Sequence, residues 1–246
     1  MTAATTDRLT APLAIPLTAP PILAIETATT RALVALGTLD GALLAVDEWE
    51  AGHRHAEELL VRIGALLARA GIVRPGPGVL AGIVAGTGPG GFTGLRVGLA
   101  TAHGIARAAA VPLVGVPTGV ALAAAAWATG VVPPGAEVAF LLPAGPTGRY
   151  LVRDGRATLA PPDEPTGDPT PDAVLVAVDL PGRAPEEAIA RGAAARAGLA
   201  PALVALGAAR LRAGADDGAA LAPEYVTMPR GMAVATGEVA WSPARR

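Results

Sequence analysis

The densest run of residues with chemical potential is the glycine turn Gly86-Thr87-Gly88-Pro89-Gly90-Gly91-Phe92-Thr93-Gly94-Leu95-Arg96. Gly86, Gly88 and Gly91 satisfy G-x-G-x-x-G between a short apolar run and a helical pattern. In that arrangement a helix N-terminus and bare backbone N–H groups cradle a pyrophosphate. The same chemistry wants an acid about 20 residues further on to hold the ribose. No Asp or Glu occurs from Gly91 to Ala136. A P-loop is excluded more simply, because it needs a lysine and this chain has none. What remains is a turn that packs a helix closely on a sheet. Arg96 follows it with a planar fork that suits a partner's carboxylate, a phosphate or plain solvent.

Other groups offer less. His53, Arg54 and His55 form the one histidine cluster, and two ligands two apart with no third nearby make a poor zinc site. The absence of cysteine excludes disulfides and thiolate chemistry, and the absence of lysine excludes Schiff bases. No Ser/His/Asp set is recognisable. The sequence therefore assigns no catalytic residue and no metal ligand.

The elements that position the glycine turn are readable around it. Val79–Ala85, a helix from near Thr93 and Val111–Pro117 form a βαβ unit, whose right-handed crossover lays the helix on one face of a parallel sheet. Upstream, Ile22–Glu26, Arg31–Gly37 and Ala42–Glu50 read as three strands, the last two joined by an Asp40-Gly41 hairpin turn. Between them Leu59, Ile63, Leu66, Leu67 and Ala70 fall at helical spacing over 54–71, with Gly71 past the helix end. Leu60 and Val61 widen that apolar stripe beyond one core face. Gly94, Gly98, Ala102 and Ala106 recur every four residues on the next helix, a ridge that lets a sheet or another helix approach closely. Downstream, helices are expected over 118–128, 185–197 and 201–213, and strands over 138–142, 149–153 and 173–178. A loop spans 160–172.

Of the 246 residues 52% are hydrophobic and 16% charged, enough to fill a sizeable core. A net charge of −2 supplies no basic field for nucleic acid. No stretch reads as a membrane span or signal peptide, so the expected place is cytoplasmic. Residues 1–20 read as a disordered lead-in, 22–130 and 136–230 as two halves, and 231–246 as a tail.

Four motifs in one order resemble the TsaB (YeaZ) family: Leu23-Ala24-Ile25-Glu26-Thr27-Ala28-Thr29, His55-Ala56-Glu57-Glu58-Leu59-Leu60, Gly88 to Gly98, and Val111-Pro112-Leu113-Val114-Gly115-Val116. The resemblance covers Ile22 to about Val120. It implies an α/β, actin-like ATPase (ribonuclease H-like) fold of mixed sheets with flanking helices, the second half smaller and degenerate. It implies a non-catalytic, dimerising subunit of the complex that forms N6-threonylcarbamoyladenosine at position 37 of tRNA. The implied partners are a TsaD-like catalytic subunit and a TsaE-like ATPase. ATP and metal would sit on those partners, and tRNA would be met only through the complex. The expected partner surface is Leu59, Leu60, Ile63, Leu66, Leu67, Gly94, Arg96, Gly98 and Ala102. A nucleotide, if bound, would meet Glu26, Thr27, Gly88 and Gly90, although no glycine follows Glu26 to admit phosphate. The alternatives are an actin-like ATPase or metallopeptidase-like enzyme, disfavoured by the missing H-x-x-x-H, and a stand-alone homodimeric scaffold. Two departures stand out. The family's D-A-R-R-x-E-V-Y is replaced by Pro143-Ala144-Gly145-Pro146-Thr147-Gly148-Arg149-Tyr150, and its closing P-x-Y-L-R by Pro223-Glu224-Tyr225-Val226-Thr227.

Overall fold

The structure, a computed structural model, describes residues 17–226 except 53, 146, 161–172 and 219, together with the backbone of 234–235 and 238–239. Most of the lead-in, His53, the loop after 160 and most of the tail lie outside the described residues, as does the side chain of His55.

The first sheet has the order β3-β2-β1-β4-β5. Its strands are β1 (Ile22–Glu26), β2 (Arg31–Gly37), β3 (Leu43–Glu50), β4 (Gly82–Gly86) and β5 (Leu113–Val116). β1 pairs antiparallel with β2 and parallel with β4; β2 and β3 are antiparallel; β4 and β5 are parallel. The expected mixed sheet is therefore present. β1 is apolar but for its last residue and buried at every position, as a central strand covered on both faces must be.

One face carries α1 (His55–Arg69) and α2 (Phe92–Ala109). Leu59, Ile63, Leu66 and Leu67 of α1 and Leu99, Ala102 and Ala106 of α2 share a core with Leu23, Ile25, Val34, Leu36 and Ile83. Both helices return the chain from one parallel strand to the next, so they run in the same direction. The other face carries α3 (Thr118–Ala128) and α5 (Leu199–Arg212). α5 lies across all five strands. Gly207 brings its backbone down on Val84, and Gly37 and Gly82 make room for Val204 and Leu211.

The second sheet has the order β8-β7-β6-β9, from β6 (Val138–Ala144), β7 (Gly148–Arg153), β8 (Arg156–Ala160) and β9 (Val174–Ala177), with α4 (Glu186–Ala197) packed on β9. β8 is not among the strands expected from sequence. Phe140, Leu142, Tyr150, Val152 and Val176 of this sheet join Ile22, Leu33, Val84, Leu122, Leu203 and Val204 in one core. The expected division at 136 therefore does not separate the packing: α5 belongs to the first sheet, and one core runs through both halves. Two short strands, β10 (Val234–Ala235) and β11 (Glu238–Val239), pair with each other. Among the described residues no single helix is long and apolar enough to cross a membrane.

Candidate functional site

The glycine turn closes on the end of β1. Gly91 N–H donates to Ala28 O at 2.7 Å, and a Cβ at Gly90 would collide with that same carbonyl. Glu26 is fully buried. Its Oε1 accepts from Ala28 N–H at 2.6 Å and its Oε2 from the Thr118 hydroxyl at 2.7 Å. The Thr118 oxygen in turn accepts from Gly88 N–H at 3.0 Å. A Cβ at Gly86 would overlap the Glu26 carboxylate. Burial pushes the Glu26 carboxyl above its ordinary value, against the lowering pull of Thr118, Ala28 and the Arg196 charge. Glu26, Gly88 and Gly90, the residues expected to meet a nucleotide, are each engaged within the chain in this way. The glycines admit the protein's own β1, and the carboxylate fastens β1, the turn and the start of α3 together.

Thr27 is buried but borders a cleft. The cleft, of about 460 Å³, lies between the halves and is lined also by Thr29, Thr30, the first turn of α2, Pro143, Gly145 and Arg183. Arg183 is already tied to the carbonyls of Gly145 and Gly148, both at 3.3 Å. The cleft is braced on one side by Arg196 of α4, which is 3% exposed. Its guanidinium donates to Glu48 Oε1 at 2.6 Å, Thr29 Oγ1 at 3.2 Å and Arg31 O at 2.7 Å. Among the described residues no group of three His, Cys, Asp or Glu side chains is placed to hold a metal ion.

The expected partner surface divides in two. Leu59, Ile63, Leu66 and Leu67 are buried in the core of the first sheet. Gly94, Gly98 and Ala102 are buried as well. Thr27 Oγ1 donates to Gly94 O at 2.8 Å, and a Cβ at Gly98 would strike that hydroxyl. The small-residue ridge thus faces β1, and the periodicity that marks it is core packing. Leu60 and Arg96 are exposed. They belong to a second face that the sequence marked only through Leu60, Val61 and Arg96: Leu60 (60% exposed), Val61 (70%), Gly64 and Ala68 on α1, and Ala100, Gly104 and Ala108 on α2. A Cβ at Gly64 or Gly104 would meet nothing within 4 Å.

The closing segment is the other unforeseen part. Asp216, Asp217 and Leu221 lie along β5, the edge of the first sheet. Asp216 Oδ1 accepts from Leu113 N–H at 3.1 Å, Asp217 Oδ2 from Gly115 N–H at 2.9 Å, and Asp217 N–H donates to Leu113 O at 2.7 Å. The strap so fills hydrogen bonds that an edge strand leaves open. Burial opposes the Asp217 charge, but the Gly115 N–H and Arg210 hold its carboxyl below the usual range. Leu221 fills the space above Gly115, Leu221 O lies 3.2 Å from His103 Nε2, and Glu224 N–H donates to Thr87 O at 2.8 Å. Tyr225 then reaches Arg96, whose Nε–H donates to the phenol oxygen at 2.7 Å. The sequence signal was present in the Asp216-Asp217 pair and the Pro-x-Tyr, but nothing local says which strand they serve.

Comparison with known proteins fits this geometry. A family model described as "TsaD: tRNA N6-adenosine threonylcarbamoyltransferase" matches residues 49–191. The tRNA threonylcarbamoyladenosine biosynthesis protein TsaB of Escherichia coli is 38% identical over 106 residues, 43% of this chain. The match spans 44% of that relative's length. YeaZ from Pseudomonas aeruginosa superposes with a TM-score of 0.56 at 23% identity, over 84% of this chain and 99% of its own. A second P. aeruginosa structure, titled as similar to peptidase YeaZ, gives 0.58 at 22% identity, over 85% and 100%. The two structures carry the fold, the expected actin-like α/β class. The chain belongs to the family of the TsaD model, and its resemblance within that family is to TsaB (YeaZ).

Proposed function

We propose that this chain is a non-catalytic partner subunit in the formation of N6-threonylcarbamoyladenosine at position 37 of tRNA, binding a TsaD-type subunit through the outer face of α1 and α2. The carrying observation is that face: two helices side by side, exposed, apolar or small along Leu60, Val61, Gly64, Ala100 and Gly104. A close helix-to-helix contact needs small residues of this kind. The name of the TsaB relative supplies the process. The turn's Gly86, Gly88 and Gly90 are taken up by contacts with Glu26, Thr118 and Ala28, which favours a binding role over an actin-like ATPase. In this reading ATP, metal and tRNA are handled by the TsaD-type subunit and a TsaE-type ATPase in the cytoplasm.

The test is association with the TsaD-type subunit, measured beside tRNA modification by the reconstituted mixture. Gly104→Leu adds a side chain where nothing of this chain stands. It should leave the fold intact and weaken association about 10-fold or more, because overpacking a close contact costs roughly 1–3 kcal/mol. Unchanged association, or a dimer of this chain alone that excludes the TsaD-type subunit, would sink the proposal.

A further inference from the structure

Arg96 stands at the end of the α2 stripe that continues through Ala100 and Gly104. It is exposed yet held. Its guanidinium carbon lies 3.9 Å from the centroid of Phe92 and 5.7 Å from that of Tyr225. The two rings are themselves 5.3 Å apart, tilted by 33°. Nε–H is spent on the Tyr225 hydroxyl. A stacked guanidinium with its Nε fixed has one free edge, the pair of terminal nitrogens. With Nε taken, that edge can still receive a carboxylate end-on through two parallel hydrogen bonds.

Nothing among the described residues neutralises this charge. From Leu59 to Ala136 the chain has no Asp or Glu. Glu224, next to the clamping tyrosine, has its carboxyl raised by burial. The result is an immobilised cation at one end of a face that is mostly apolar or small, with Glu57 of α1 and Arg107 of α2 exposed on the same side. An arginine wanted only for solubility would not be stacked and tethered by a segment 129 residues away.

Resting on the function proposed above, we infer that Arg96 is a preset docking group, positioned by Phe92 and Tyr225, that takes a carboxylate side chain of the TsaD-type subunit. Preorganisation matters because a free arginine loses rotamer freedom on pairing. Here the closing strap has fixed the side chain before the partner arrives.

The experiment measures association of the full chain with the TsaD-type subunit at low and high salt, with the melting temperature of each variant alongside. Arg96→Gln should weaken binding about 10- to 100-fold, as truncating one member of a desolvated interfacial pair does, and should flatten the salt dependence. Arg96→Lys should restore only a small part, since an ammonium lacks the fork. Tyr225→Phe keeps the ring and removes the tether, and should weaken binding about 3- to 10-fold at unchanged salt slope and melting temperature. Arg96→Glu should be rescued by an Arg in place of one acidic residue of the partner. Unchanged affinity and salt slope in Arg96→Gln would overturn the inference while leaving the proposed function standing. So would a loss confined to tRNA binding by the assembled complex, which would make the ligand a phosphate. Failure of the wild-type chain to bind the TsaD-type subunit would overturn both.

Discussion

Adding one methyl group to α2 should raise or lower stability according to which side of the helix receives it. Gly98 and Gly104 are both interior glycines of the same helix, and replacing either with Ala gains about 1 kcal/mol of helix propensity. At Gly104 that gain stands alone, because a Cβ there meets nothing within 4 Å. At Gly98 the Cβ collides with Thr27 Oγ1, a buried group whose hydrogen bond to Gly94 O is 2.8 Å. Overpacking costs roughly 1–3 kcal/mol and the displaced hydrogen bond about 0.5–1.5 kcal/mol. The net for Gly98→Ala is a loss of about 2 kcal/mol. At roughly 2–4 °C per kcal/mol for a chain of this size, its melting temperature should fall by about 4–8 °C, while that of Gly104→Ala rises by about 2–4 °C. Thermal unfolding followed by circular dichroism reads both. Thr27→Ala removes the struck atom, so Thr27→Ala/Gly98→Ala should be less destabilised than the sum of the singles by about 1–2 kcal/mol. A rise in both single variants, with no coupling, would mean that the ridge does not face β1 and would refute the packing described above.

Two further outcomes follow from the buried charges. The folded state binds a proton at Glu26 more tightly than the unfolded state, because burial raises its carboxyl above 4.5. That contribution is present below the unfolded value and is lost as pH rises through the folded one. The stability difference between wild type and Glu26→Gln should therefore shift in favour of wild type as pH falls from about 7.5 to about 5, measured by urea midpoints; a shift the other way would falsify the assignment. Arg196→Met removes three hydrogen bonds from a buried guanidinium, but Glu48 keeps the Arg31 guanidinium at 3.5 Å and the Arg31 carbonyl keeps the Thr29 hydroxyl at 3.0 Å, so the change should cost about 1–3 kcal/mol. Glu48→Gln should cost less, since the amide oxygen still accepts. Unfolding should remain a single transition, and its splitting into two would show that the halves do not share one core.

The first sheet was legible because local signals and topology agree there. β1 is apolar in an unbroken run that only a doubly covered strand explains, Asp40-Gly41 turns the hairpin, and the βαβ unit fixes its own handedness. The four motifs also lie in this half. What escaped was set by partners distant in sequence. The Gly94/Gly98/Ala102 ridge has the same spacing whether it meets a sheet or another protein, and Thr27, 71 residues before Gly98, decides the matter. Arg196 looks like any helical arginine until Thr29, Arg31 and Glu48 surround it. β8 had a readable cue in Asp154-Gly155, both at positive φ, but its sequence Arg-Ala-Thr-Leu-Ala lies at a sheet edge and carries little of the apolar alternation that marks a strand.

The placement of α5 has a consequence for how the chain is made. A ribosome delivers β1 to β5 with α1 and α2 between them, and of the two helices for the other face only α3 follows promptly. Leu33, Ala35 and Val84 wait for Leu203, Val204 and Ala208, which emerge well over a hundred residues after β1. Until then the nascent sheet has an uncovered greasy side, a natural substrate for chaperones. A truncation anywhere before Leu199 would leave that side open for good, so the amino-terminal half, though it holds every recognisable motif, is not an independently heritable module.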